Sequence, residues 1–179
     1  MAGRTSQDGE RRRALAAFLT VAAVVAALDL ASKWAAFHYL DWGEALSLVP
    51  GCLALRLNEN KGAVFGLGQG RRVLFIVFTL VASVGILWVQ RRHGRSSKWL
   101  NAGLGLLLGG ALGNLYDRLF IIGRDGTRGV VRDFIDVYFR DWHWPTFNVA
   151  DMALCVGCGL IVLCSFRAPK EEAGAKQTK

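Results

Sequence analysis

Two aspartates stand where an enzyme working at an apolar boundary would need them: Asp133 in "VVRDFID" (130–136) and Asp151 in "FNVAD" (147–151). Two carboxylates that share one water make a general acid–base pair. The ionised one takes a proton from water, and the protonated one hydrogen-bonds the carbonyl under attack. Like charges at close range push their pKa values apart, so such a pair holds one proton near neutrality and titrates as a unit. Spacing alone leaves a plainer reading open, because aspartates near helix starts are common caps. Asp136 is a rival for Asp133 on the same segment, and Asp117 reads as a hydrogen-bonding residue at a helix end.

Other polar residues interrupt apolar sequence. Asp29 and Lys33 are spaced i, i+4 and can pair on one helix face, as a structural ion pair or as support for a site or a lipid contact. Asn114, Arg118 and Asn148 are similarly placed. The four cysteines do not point to chemistry: Cys155 and Cys158 form a C-x-x-C inside an apolar run with no second pair and no nearby histidine. The three histidines, His38, His93 and His143, have no evident nucleophile partner, which disfavours a serine or cysteine peptidase.

The elements that must position these residues are membrane helices. The chain has 179 residues, is 53% hydrophobic and has a mean hydropathy of +0.29, too apolar for an ordinary soluble domain. Four apolar segments, about 13–40, 73–90, 99–122 and 148–166, each approach the roughly 20 residues that cross a bilayer core. The expected fold is an all-α integral membrane protein of four transmembrane helices in a single domain over 1–179, with a small β-containing extracytoplasmic loop region. The net charge of +8 sits in short clusters between apolar runs, a membrane pattern rather than a nucleic-acid one. Arg4, Arg11, Arg12 and Arg13 precede the first segment; Arg91, Arg92, Arg95 and Lys98 separate the second and third; Arg167, Lys170, Lys176 and Lys179 follow the fourth. By the positive-inside rule these stretches are cytoplasmic, including mobile polar tails at 1–12 and 168–179, and the loops at about 41–72 and 123–147 face outward. Arg71 and Arg72 run mildly against the rule. The first segment is longer than the apolar core of a cleaved signal peptide.

This topology brings the polar residues to one level. Asp29 and Lys33 come late in an outward-running segment, Asn114, Asp117 and Arg118 late in another, and Asn148 and Asp151 open an inward-running one. Ionisable groups at membrane depth are costly, so their convergence at the outer face marks a site. Gly105, Gly109 and Gly113 recur every fourth residue and give a smooth face on which a helix can approach Asn114. In the outer loops, "CLALRLNEN" (52–60) alternates like a strand, "GRDGTRG" (123–129) reads as a tight turn, and Tyr138, Trp142 and Trp144 look like interfacial anchors. A transporter with a relay through Asp29, Asp117 and Asp151 is a competing class, but a relay should cross the midplane, where the second segment carries no charge. A lipid-binding scaffold is another, and it would need no aspartate pair.

Five motifs then carry a family resemblance: "DLASK" (29–33), "NKGAVFG" (60–66), "GGALGNLYDR" (109–118), "VVRDFID" and "FNVAD". In this order, over about residues 28–157, they resemble the bacterial lipoprotein signal peptidases (signal peptidase II). The resemblance implies a membrane aspartyl endopeptidase of the bacterial cytoplasmic membrane, with both termini cytoplasmic and its site at the outer face. It would remove signal peptides from diacylglyceryl-modified prolipoproteins, cleaving on the amino side of the lipidated cysteine. Asp133 and Asp151 match the catalytic dyad. Asn60, Asn114, Arg118 and Asn148 match polar residues lining the site, Asp29 and Lys33 match a supporting first-helix motif, and Gly62, Ala63 and Phe65 match a substrate-contacting loop. No metal or cofactor is implied. The implied partners are the prolipoproteins and membrane lipids, with no nucleic acid and activity as a monomer, blocked by the cyclic peptide globomycin. The link from Arg118 to Asp133 is longer than the family pattern, and the Asp125-Gly126 turn is expected to fold the excess outward.

Overall fold

The structure is a computed structural model and describes residues 2–62, 68, 70–94 and 96–167. Four helices, α1 (Ala2–Tyr39), α2 (Arg72–His93), α3 (Lys98–Phe120) and α4 (Val149–Arg167), alternate with four strands, β1 (Leu46–Val49), β2 (Leu53–Asn60), β3 (Val131–Phe139) and β4 (Trp142–His143). α1 and α3 run into the sheet-bearing loops and α2 and α4 run out of them, and α1 and α3 pack against one antiparallel sheet of order β1-β2-β3-β4. α1 begins at Ala2 rather than near residue 13. The helix thus continues past the apolar run, through Gly3 and Gly9, which are weak helix formers.

α1 (from Gln7), α2 and α4 (to Phe166) are long and apolar enough to cross a membrane. They present large hydrophobic side chains outward: Val73, Phe78 and Val81 on α2 are each more than 60% exposed, the pattern of side chains meant for lipid. α3 is just as long, but its glycines and two asparagines dilute its hydropathy, and it is the most enclosed of the four. It packs against α1, α2 and α4. The glycine stripe explains how. A Cβ on Gly109 would come within 2.6 Å of the Ala22 carbonyl of α1, and one on Gly110 within 2.6 Å of the Ala150 carbonyl of α4. The stripe Gly105, Gly109 and Gly113 faces α1, while Gly103 and Gly110 face α4. At the end far from the sheet, the Asn101 amide donates to the Ala14 carbonyl (2.8 Å) and accepts from buried Gln90 (3.5 Å), which ties α1, α2 and α3 together.

The sheet is larger than the single strand read from "CLALRLNEN". Pro50-Gly51 turns β1 into β2, with Gly51 at φ +77 and Cys52 N–H bonded to the Val49 carbonyl. The ladder between β2 and β3 shifts register between Leu55 and Asn58. The Asp125-Gly126 turn is present as a small hairpin, Gly123 N–H to the Thr127 carbonyl at 2.8 Å, with Ile122 bridged to Arg128. Glu59 of β2 holds this hairpin by accepting Arg124 N–H on both oxygens, and Lys61 pairs with Asp125.

Candidate active site

The first turn of α4 shows why this apolar helix opens with Asn and Asp. Asn148 Oδ1 accepts the Asp151 N–H (3.0 Å), and Asp151 Oδ2 accepts the Asn148 N–H (3.2 Å). This reciprocal pair satisfies two donors that a helix start leaves orphaned. A third, Ala150 N–H, goes to Asp29 Oδ1 of α1 at 2.8 Å. Carboxylates gathered here also meet the positive end of the helix dipole. The capping reading of Asp151 therefore holds, and it uses only one oxygen. The other, Oδ1, accepts from Asn114 Nδ2 at 2.8 Å.

Asp133 reaches the same group from β3. It is 1% exposed. Its Oδ1 accepts from Asn148 Nδ2 (2.7 Å) and its Oδ2 from Asn60 Nδ2 (3.1 Å). A register shift of this kind re-aims side chains beyond it, and here it brings the end of β2 to Asp133. Asn148 Nδ2 also donates to Asn114 Oδ1 (3.2 Å), so two asparagines join the Asp133 and Asp151 carboxylates in one chain of hydrogen bonds. Asp136, three residues on, has other partners: Arg56 at 3.3 Å and His143 Nδ1 at 3.0 Å. Arg132 is also committed elsewhere, to Asp117 through its guanidinium (2.8 Å) and its backbone N–H (2.9 Å).

Lys33 anchors this group from below. It is fully buried, donates to Asn114 Oδ1 at 2.9 Å and lies 3.4 Å from Asp117. Its Nζ is 2.7 Å from Asp29 Oδ2, an ion pair that lies off the axis of a hydrogen bond. Gly113 makes this approach possible, since a Cβ there would fall on the Asp29 carboxylate. Arg118 closes the remaining side. It donates to the Gly62 carbonyl (3.2 Å), its charge acts on Asp133, Asp151 and Asp117, and its guanidinium stacks 4.6 Å over Phe75. Gly62 N–H in turn bonds Asn60 Oδ1 (2.9 Å).

The two candidate carboxylates differ in environment. Burial, followed by the nearby Asp151 charge, pushes the Asp133 carboxyl up to about 7, against the opposing pull of Asn60, Asn148 and Lys33. Asp151 is only partly buried, and each of its oxygens accepts an N–H bond. Asp133 is thus disposed to keep a proton near neutrality beside a second carboxylate, as one member of an acid–base pair must.

All nine sequence candidates within the described residues, Asp29, Lys33, Asn60, Gly62, Asn114, Arg118, Asp133, Asn148 and Asp151, converge on this cluster. Ala63 and Phe65 lie outside the described residues. Two roles go beyond the sequence reading, which placed Asp117 among the converging polar residues as a hydrogen-bonding helix-end group and Arg72 as an exception to the charge rule. Asp117, fully buried, binds both Arg132 and Lys33 and so couples β3 to α1; its position three residues after Asn114 on one helix face was the available signal. Arg72 donates to the Arg118 (2.6 Å) and Leu119 (3.0 Å) carbonyls at the negative end of α3. That contact gives this arginine partners at the sheet end of the helices, and its departure from the charge rule was the signal.

A family model described as Signal peptidase (SPase) II matches residues 21–167. Curated relatives named lipoprotein signal peptidase include one from Photorhabdus laumondii, 40% identical over 87% of this chain and 90% of its own. Another, from Halalkalibacterium halodurans, is 36% identical over 90% of this chain and 97% of its own. A solved bacterial membrane enzyme superimposes with a TM-score of 0.77 at 25% identity, covering 90% of this chain and 94% of that one. Matched along the stretch that carries every residue of the cluster, the chain belongs to the signal peptidase II family.

Proposed function

We propose that this bacterial membrane protein is an aspartyl endopeptidase that removes signal peptides from diacylglyceryl-modified prolipoproteins, cleaving on the amino side of the lipidated cysteine. Family membership supports the peptidase activity and the substrate class. The assignment of Asp133 and Asp151 as the catalytic pair rests above all on one observation: two carboxylates in unlike environments, joined through Asn148 and Asn114. In this reading Asp151, ionised, takes a proton from the attacking water. Asp133, protonated, hydrogen-bonds the scissile carbonyl and stabilises the oxygen as charge develops on it. The tetrahedral diol then collapses as the proton passes to the leaving amine. Asn60 and Asn148 hold Asp133, while Lys33 holds Asn114 against Asp151.

The same reading places four spans in the membrane, with α3 as the inner helix sheathed by the other three, both termini cytoplasmic and the sheet at the outer face. The polar cluster is then level with the outer leaflet, where a diacylglyceryl chain would rest between helices and position the peptide bond. The protein acts as a monomer, with lipid as its immediate surroundings. Purified protein should shift a diacylglyceryl-modified prolipoprotein to its cleaved form on a gel and leave the unlipidated precursor intact. Asp133→Asn and Asp151→Asn should each abolish the shift while the protein stays folded. Normal cleavage by either folded variant would overturn the dyad.

A further inference from the structure

The end of the molecule opposite the cluster holds a cleft that the peptidase reading does not use. It measures about 270 Å³ and is lined by Arg11, Arg12, Ala14 and Leu15 of α1 and by Gln90 and Arg91 of α2. Two basic runs far apart in sequence therefore meet at one point. Among the described residues no acidic side chain lines the cleft; Glu10, beside Arg11 in sequence, is not among its walls. Among the described residues, none of the three guanidiniums makes an ion pair. Its floor is a buried polar side chain, Gln90, held through Asn101 to the Ala14 carbonyl. Its wall toward the apolar face of α1 is Leu15, with exposed Leu19 beyond it.

We propose that this cleft binds the phosphodiester headgroup of an anionic phospholipid, with Arg11, Arg12 and Arg91 on the phosphate and the acyl chains along Leu15 and Leu19. Guanidiniums present planar donor forks suited to phosphate oxygens. Convergence of three of them without a counter-charge is unfavourable unless an anion fills the space. The depth is that of a headgroup: exposed Trp88 and Trp99 flank this end of α2 and α3, where amphipathic indoles mark the bilayer interface. The volume falls near the lower end of small-molecule sites, about 300 Å³, which suits a headgroup with its tails outside. The apolar wall distinguishes a lipid phosphate from free phosphate, which would leave Leu15 and Leu19 unused. Basic pockets between helices on the cytoplasmic side hold acidic headgroups for these reasons.

Full-length protein in detergent, offered phosphatidylglycerol, phosphatidylcholine or inorganic phosphate, would be weighed by native mass spectrometry. The wild type should retain one phosphatidylglycerol in preference to phosphatidylcholine. Arg91→Gln should weaken that retention roughly fivefold, the share of one arginine near a headgroup. The triple change of Arg11, Arg12 and Arg91 to Gln should erase the preference, whereas Arg91→Lys should keep most of it. Arg92→Gln is the control, because Arg92 lies 5.9 Å over the Trp88 ring and does not line the cleft. Equal lipid retention by the wild type and a folded triple variant would overturn the proposal. So would retention of inorganic phosphate without any lipid preference. If the triple variant fails to fold, Arg91→Gln against Arg91→Lys decides.

Discussion

Asp133 and Asp136 are neighbours on one strand, equally buried at 1% exposure, and yet their surroundings are opposites. Asp136 is compensated: a guanidinium and an imidazole contact its oxygens, and its burial is that of an ordinary structural ion pair. Asp133 is held by two neutral amides and lies near a second acid. Burial alone therefore does not separate the two. What sets Asp133 apart, among the described residues, is burial without a contacting cation, a cost that a fold tolerates where a group has other work.

The contrast can be broken most decisively at the two acids. Asp133→Asn should lower cleavage of the lipidated substrate by about 10³-fold or more, the scale of losing an acid–base partner. It should leave the protein folded, because the amide is isosteric with the protonated carboxyl that the fold favours. Asp136→Asn should do the reverse. It should keep cleavage within a fewfold and lower Tm, since Arg56 and His143 lose their partner. The reverse outcome, with Asp136→Asn inactive and folded and Asp133→Asn active, would assign the site to the wrong carboxylate.

A smaller effect is expected at Asn148, which serves both acids. Asn148→Ala should cost about 1 kcal/mol of stability as a lost cap for the Asp151 N–H and lower kcat by roughly 10–100-fold as the Asp133 carboxylate loses a donor. Asn148→Ser would restore the cap without an amide for Asp133. It should recover Tm while leaving cleavage low, and recovery of both would reduce Asn148 to a cap.

Titration sharpens the comparison further. With its pKa pushed up to about 7 in the folded state from 3.8, Asp133 keeps a proton that the unfolded chain has already released between those values. Its contribution to stability is therefore fully present below about pH 4, falls as pH rises through that window and levels off above it. kcat/KM should decline as pH passes about 7 and the proton leaves. Asn60→Ala removes a donor that favours the charged form, so the declining limb should move to higher pH. A limb that stays in place would separate Asn60 from the titrating group. The smallest effect belongs to the exposed Lys61–Asp125 pair: Asp125→Asn should leave Tm and cleavage indistinguishable from wild type.

Much of the site was legible in the sequence because helix geometry does not depend on packing. A rise of ~1.5 Å per residue and alternating helix direction bring Asp29, Asn114 and Asp151 to one level before any contact is known. The motifs selected Asp133 over Asp136, a choice that the strand pattern alone did not support. The sheet was less legible. β1 and β4 are too short for a period-2 signal, and Arg140, at φ 55 in the β3–β4 turn, is not a residue type that announces a positive φ. The hydropathy of α3 understates its role, because a helix clothed by protein needs close-packing glycines more than greasy side chains.

By itself, then, the sequence determined which segments are apolar and which polar residues share a level, since these follow from local periodicity and from helices that alternate in direction. Only the tertiary structure decided how those polar residues divide the work. Asn148 caps α4 and binds Asp133 at once. Lys33 reaches across to Asn114 rather than serving Asp29 alone. Arg132 is drawn off to Asp117, which leaves Asp133, among the described residues, without a cation in contact. Each of these depends on distances between elements remote in the chain, and a pKa is set by those distances and by burial, neither of which is written in residue order.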